Sequence, residues 1–76
     1  MIEGVLRYNS VNGRYGLIVS GSWRFSGFCC GETLEVYLGG KWVPSRMEMA
    51  WTNQERYWYL VDTPFFRNLD GIRVRR

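Results

Sequence analysis

Residues 33–51 read TLEVYLGGKWVPSRMEMAW, and their alternation decides the fold class. Leu34, Val36 and Leu38 fall on one side of an extended chain and Thr33, Glu35 and Tyr37 on the other, because successive strand residues point to opposite faces. Gly39-Gly40 then reverses the chain, since a two-residue type I′ hairpin needs positive φ at both central positions. The return strand, 41–51, keeps Val43, Met47, Met49 and Trp51 in phase. Pro44 falls inside it without an amide hydrogen, which assigns it to an edge or a bulge.

The same grammar extends outward on both sides. Residues 2–8 alternate, with Ile2, Leu6 and Tyr8 on one face. Asn12-Gly13 is the strongest hairpin signal towards the N-terminus and predicts a type I′ turn. Residues 14–20 return with Tyr15, Leu17 and Val19 as their core face. Residues 21–31, GSWRFSGFCCG, follow no period and are expected to be irregular. Downstream, 52–56 form a polar turn and 57–61 (YWYLV) a strand whose facing the pattern leaves open. Asp62-Thr63-Pro64 ends that run, residues 64–69 suit one 3₁₀ turn, and Asp70-Gly71 leads into a last strand, 72–75. The expectation is an all-β single domain over 1–76, a small SH3-like barrel of five to six short antiparallel strands.

A chain of 76 residues buries only about 60–65% of the surface it exposes when unfolded, so its core must be rich in large apolar groups. Four Trp, five Tyr and four Phe meet that demand. The net charge is +3, carried by nine Arg, one Lys and seven acids. Arg presents a planar fork that matches phosphate and carboxylate and stacks on aromatic rings, which Lys does less well. No stretch approaches the roughly 18–20 apolar residues of a membrane span, so no membrane is expected as a partner. Cys29 and Cys30 are adjacent, which rarely suits a disulfide. Reduced thiols in a cytoplasmic setting are the expectation, with the pair buried or half-buried as small apolar groups.

Several stretches carry a family pattern: Leu6-Arg7-Tyr8-Asn9, Gly13-Arg14-Tyr15, Gly31 to Val36, Gly40-Lys41-Trp42, Trp58-Tyr59-Leu60 and Leu69-Asp70-Gly71. Together they resemble a family of short uncharacterised SH3-like proteins from Gram-positive bacteria, their phages and mobile elements. The resemblance implies an accessory, mobile-element setting in which tiny proteins often antagonise host defence. Its motifs are turns and core positions, so it brings no catalytic residues.

The residues themselves argue against chemistry. There is no histidine, the commonest general base and metal ligand. Cys29-Cys30 lacks C-x-x-C spacing and a second pair, so no metal site is expected. Glu32 and Glu35, three apart on an extended chain, point to opposite faces. No cofactor-binding loop of the G-x-x-x-x-G-K-[ST] kind is present. The chain is therefore expected to be a binding protein and not an enzyme.

Two clusters are candidates for binding. Arg46, Trp51, Arg56, Tyr57 and Arg67 surround the polar turn at 52–56 and combine aromatic platforms with guanidinium groups. Base stacking contributes roughly 1–3 kcal/mol, and Arg grips phosphate in a fork. The ordinary explanation is a cross-strand aromatic pair that fixes sheet register. Trp23, Arg24, Phe25 and Phe28 form the second cluster. They either fold over one end of the barrel or make an exposed patch for self-association or a protein partner. Arg73, Arg75 and Arg76 form a basic tail whose ordinary explanation is a frayed, solvated terminus.

Three partner classes follow. The leading expectation is a phosphate-bearing nucleotide, captured as an immune-signal sponge would capture it. The second is a host protein held through the Trp23 to Phe28 patch, with homo-oligomerisation a variant of it. The third is nucleic acid, for which a charge of +3 is modest.

Overall fold

The computed structural model describes all residues, 1–76. Seven antiparallel strands form one sheet, in the order β3-β2-β1-β7-β4-β5-β6. The strands are β1 (Glu3–Asn9), β2 (Arg14–Val19), β3 (Ser22–Phe25), β4 (Thr33–Leu38), β5 (Lys41–Trp51), β6 (Arg56–Leu60) and β7 (Arg73–Arg75). The all-β expectation holds, with one strand more than expected. Two three-stranded meanders, β1-β2-β3 and β4-β5-β6, are joined by β7, which pairs with β1 on one side and β4 on the other.

The β4–β5 hairpin is as its sequence predicts. Leu38 faces Lys41 across Gly39 and Gly40, whose φ values of 61° and 82° are those of a type I′ turn. Register runs unbroken from Thr33↔Arg46 to Leu38↔Lys41. Pro44 therefore sits without a bulge, on a stretch of β5 that β6 does not reach, since β6 begins pairing at Met47. Strand β5 thus changes neighbours halfway along: its first half bonds β4 and its second half β6. Met47 lies at the changeover and is fully buried.

Other expectations are corrected. The β1–β2 connection is a four-residue loop, because Asn9 pairs with Arg14. Both Asn12 and Gly13 donate to the Asn9 carbonyl, and only Gly13 takes a positive φ. Residues 64–69 hold no 3₁₀ turn. They run back along β6 as an extended strap, with Leu60 N–H donating to Phe65 O, Arg67 N–H to Trp58 O, and Tyr59 bridging Phe66. The basic tail is not frayed: Arg73 and Arg75 lie in β7 in the middle of the sheet. Val74 between them is fully buried.

Segment 21–31 is also more ordered than expected. Ser20 and Gly21, at φ 51° and 80°, make a two-residue hairpin into β3. Register then shifts, so that Ile18 faces Trp23 and the adjacent Leu17 faces Phe25. An extra residue in one strand re-aims the side chains that follow it. Trp23 consequently lies on the outer face with Ile18, while Phe25 turns inward onto the core. Phe28 goes further and is fully buried.

The core comprises Leu6, Tyr15, Leu17, Phe28, Leu34, Val36, Met47, Leu60, Leu69 and Val74. Every strand except β3 supplies at least one of these, so the sheet must curl to bring them together. Glycine permits that curl. A methyl group at Gly4 would strike the Ile18 carbonyl oxygen, and one at Gly16 would meet Trp23 Cζ3 at 2.7 Å.

The surface is held by charge and stacking. Each glutamate pairs with one arginine: Glu3 with Arg73, Glu32 with Arg76, Glu35 with Arg75, Glu48 with Arg46 and Glu55 with Arg67. The β7 guanidiniums also lie over rings, Arg73 at 4.5 Å from Tyr37 and Arg75 at 4.4 Å from Trp42. Glu32 is held below the usual carboxylate range, chiefly by the Cys29 backbone N–H, against partial burial and with help from the Arg76 charge.

Two outcomes follow. Gly4→Ala should cost about 1–3 kcal/mol, as overpacking does, read as a lower urea midpoint with unchanged slope. Glu32 is more acidic folded than unfolded, so its contribution is complete above its ordinary value of 4.5 and fades as pH falls through its lower folded value. Thermal melts of Glu32→Gln should therefore lie below those of the parent at neutral pH, and the gap should close below pH 4.5.

Candidate functional site

The curled sheet leaves a cleft of about 450 Å³ where β6 approaches the β1–β2 loop. Tyr8, Tyr15, Tyr57 and Trp58 supply its rings, and Arg14, Arg56, Arg67 and Glu55 its charges. Its two walls come from the two meanders. They are pinned together by the Trp58 indole N–H, which donates to the Gly13 carbonyl at 2.9 Å. Tyr8 and Tyr15 meet edge to face, ring centres 5.4 Å apart, at the end of the core where it opens into the cleft.

The loop wall is buttoned down locally. The Ser26 carbonyl accepts from the side-chain amides of Asn9 at 3.0 Å and Asn12 at 2.9 Å. A methyl group at Gly27 would lie 2.8 Å from Arg14 Cβ, so this segment packs hard against the base of Arg14 and orients it.

The strap wall is built around Arg67. Its φ of 66° is uncommon for a side chain other than glycine. Two hydrogen bonds hold it there: its N–H donates to the Trp58 carbonyl at 3.0 Å, and its carbonyl accepts from the Tyr15 hydroxyl at 2.9 Å. Its guanidinium lies 4.4 Å from the Tyr57 ring centre and 5.1 Å from that of Phe66. Nε and Nη2 both donate to Glu55 Oε1, at 3.0 and 2.5 Å. That carboxylate raises Arg67 above its ordinary value.

Of the five residues singled out for ligand binding, Arg56, Tyr57 and Arg67 line this cleft. Arg46 does not. It pairs with Glu48 at 3.0 Å and borders a smaller hollow of about 210 Å³ with Thr33, Pro44 and Asp62. Trp51 is 71% exposed, because the β5–β6 hairpin overhangs the core there. It carries Arg56 at 5.4 Å from its ring centre. The sequence reading missed Tyr8, Tyr15, Trp58 and above all Arg14. The signal for Arg14 was its place after Asn12-Gly13, at the first residue of a returning strand.

The second cluster divides. Trp23 and Arg24 are exposed on edge strand β3, Phe25 is half-buried, and Phe28 is removed from any surface. Phe28 folds inward, the first of the two alternatives, so its place among the interface residues is corrected. Cys29 and Cys30, expected to be buried or half-buried, are both exposed.

The model of DUF5348, a domain of unknown function, matches residues 4–76. The chain belongs to that family. It is similar to a protein from Ruminococcus gnavus whose crystal structure has been solved, with 35% identity and a TM-score of 0.69. That match covers 97% of this chain and 99% of the other. No curated protein matches. The kinship agrees with the resemblance to short uncharacterised bacterial proteins, and it carries no activity. No helix of this DUF5348 chain is long and apolar enough to cross a membrane.

Removing the Tyr15 hydroxyl tests how the cleft is held. Tyr15→Phe leaves the Arg67 carbonyl without its donor, and a loss of about 1 kcal/mol is expected from equilibrium unfolding.

Proposed function

We propose that this protein is a non-catalytic binding module, a small SH3-like barrel whose cleft takes a phosphate-bearing nucleotide. One observation carries the reading: Arg14 and Arg56 line the cleft and neither has a carboxylate partner. All five glutamates are engaged by other arginines, so these two guanidiniums are left without a carboxylate in a cleft lined by four aromatic rings. A guanidinium binds phosphate through a charge-assisted fork, and a heterocyclic base gains stacking energy on tyrosine or tryptophan. The volume, about 450 Å³, lies within the range of small-molecule sites, roughly 300–1,000 Å³.

Arg67 holds the wall in place, since Glu55 already occupies two of its donors. Arg46 and Trp51 stand outside the ligand. The absence of histidine from the sequence supports capture over turnover. That such capture serves a phage or mobile element against host defence rests on the sequence motifs alone.

Calorimetry against cyclic mononucleotides, cyclic dinucleotides and ADP-ribose-type ligands tests the reading. At least one should bind with a one-to-one stoichiometry, and Arg14→Ala or Arg56→Ala should each weaken it about tenfold or more, the worth of a charged hydrogen bond. Arg46→Ala should bind like the parent. No heat across the whole panel would remove the proposal.

A further inference from the structure

Phe28 is anchored in the core, and the chain emerges from it directly into Cys29 and Cys30, both exposed. Cysteine is among the most buried residue types. Packing does not explain this pair, because neither side chain contributes to the core.

The two thiols are displayed on a closed turn. Glu32 N–H donates to the Cys29 carbonyl at 3.1 Å, and Gly31, third in the turn, has φ 86°, as a type II turn requires. The Glu32 carboxylate returns to accept the Cys29 N–H at 2.6 Å. Gly31 N–H is tied to the Met47 carbonyl at 2.8 Å. Arg76 closes the far side, 2.7 Å from Glu32 and lying 4.7 Å from the Phe25 ring centre. The segment bearing the thiols is therefore fixed at both ends, and both cysteines are exposed.

We propose that Cys29 and Cys30 form a two-thiol capture site for a soft, thiophilic centre of the trivalent-arsenic type. Two features select that class. Adjacent Cα atoms lie about 3.8 Å apart across a trans peptide, short of the roughly 4.4–6.8 Å of ordinary disulfides. A large atom placed between the sulfurs relieves that constraint, where a direct S–S bond does not. No group of three or more His, Cys, Asp or Glu side chains is gathered anywhere in the fold, so the four-ligand shell that zinc prefers is not on offer. An acceptor satisfied by two thiolates is what the pair suits. With an organoarsenic oxide the step balances without redox change. Two S–As bonds form, the As=O bond breaks, and both thiol protons leave with the oxygen as water. This site is separate from the cleft and does not depend on its ligand.

Phenylarsine oxide is the probe, read by intact-mass spectrometry. The parent chain should take up one equivalent, lose both titratable thiols, and keep the adduct through a wash with excess monothiol. 2,3-Dimercaptopropanol should strip it. Cys29→Ser and Cys30→Ser touch no core contact and should fold as the parent does, checked by near-ultraviolet circular dichroism. Each should retain at least about a hundredfold less adduct through the monothiol wash, because a second bond made within one molecule is what resists exchange. Two adducts per chain overturn the proposal, as does an adduct that monothiol strips from the parent as readily as from the variants. Consumption of the thiols as disulfide-linked dimers without uptake overturns it as well.

Discussion

The hydrogen bond from the Trp58 indole to the Gly13 carbonyl ties an outermost strand of one meander to the turn of the other. Without it the sheet is a curved ribbon with two distant ends. With it, the ribbon is rolled, and the space between β6 and the β1–β2 loop becomes a cleft with two walls. Trp58 suits this because an indole is large enough to span the gap and has one donor to place at its far side. Tyr15 repeats the device from the opposite wall, its ring in the core and its hydroxyl on the Arg67 carbonyl.

Arginine serves two ends in this molecule, and geometry separates them. Five arginines are matched one to one with the five glutamates, and four of these, Arg67, Arg73, Arg75 and Arg76, also lie over aromatic rings. Exposed ion pairs contribute little singly, about 0–1 kcal/mol, yet here they fix long side chains flat against the sheet. The cations left over are Arg7, Arg14, Arg24, Lys41 and Arg56. Two of them stand together, across one cleft. Total charge conceals this, because the surplus is not spread evenly.

Much of the fold was legible in the sequence where local rules act alone. The β4–β5 hairpin follows from Gly39-Gly40 and from alternation on both sides of it. Strand β3 was not legible, because its register shift puts Trp23 and Phe25, two residues apart, on opposite faces, which breaks the period that identifies a strand. Ser20-Gly21 was the available signal. The strap at 64–69 was missed because its bonds run to β6 and not within itself. The site was half legible. Arg56, Tyr57 and Arg67 are close in sequence to one another, whereas Arg14 and Tyr8 reach them only through the roll of the sheet. Arg46 lies ten residues before Arg56 yet stands at another hollow, since β5 carries it past the cleft.

Strand β7 sits between β1 and β4 but follows both along the chain. Each meander can zip up from hairpins as soon as it is made, yet the halves have no shared ladder until residues 73–75 are in place. Assembly of the whole therefore waits on its latest segment, and the two halves meanwhile expose the edges that β7 will cover. Such unpaired edges invite association with other chains. For this protein the interval between synthesis of β4 and arrival of β7 is the vulnerable one, and a ribosome stalled within it would display two open sheets in place of a rolled domain.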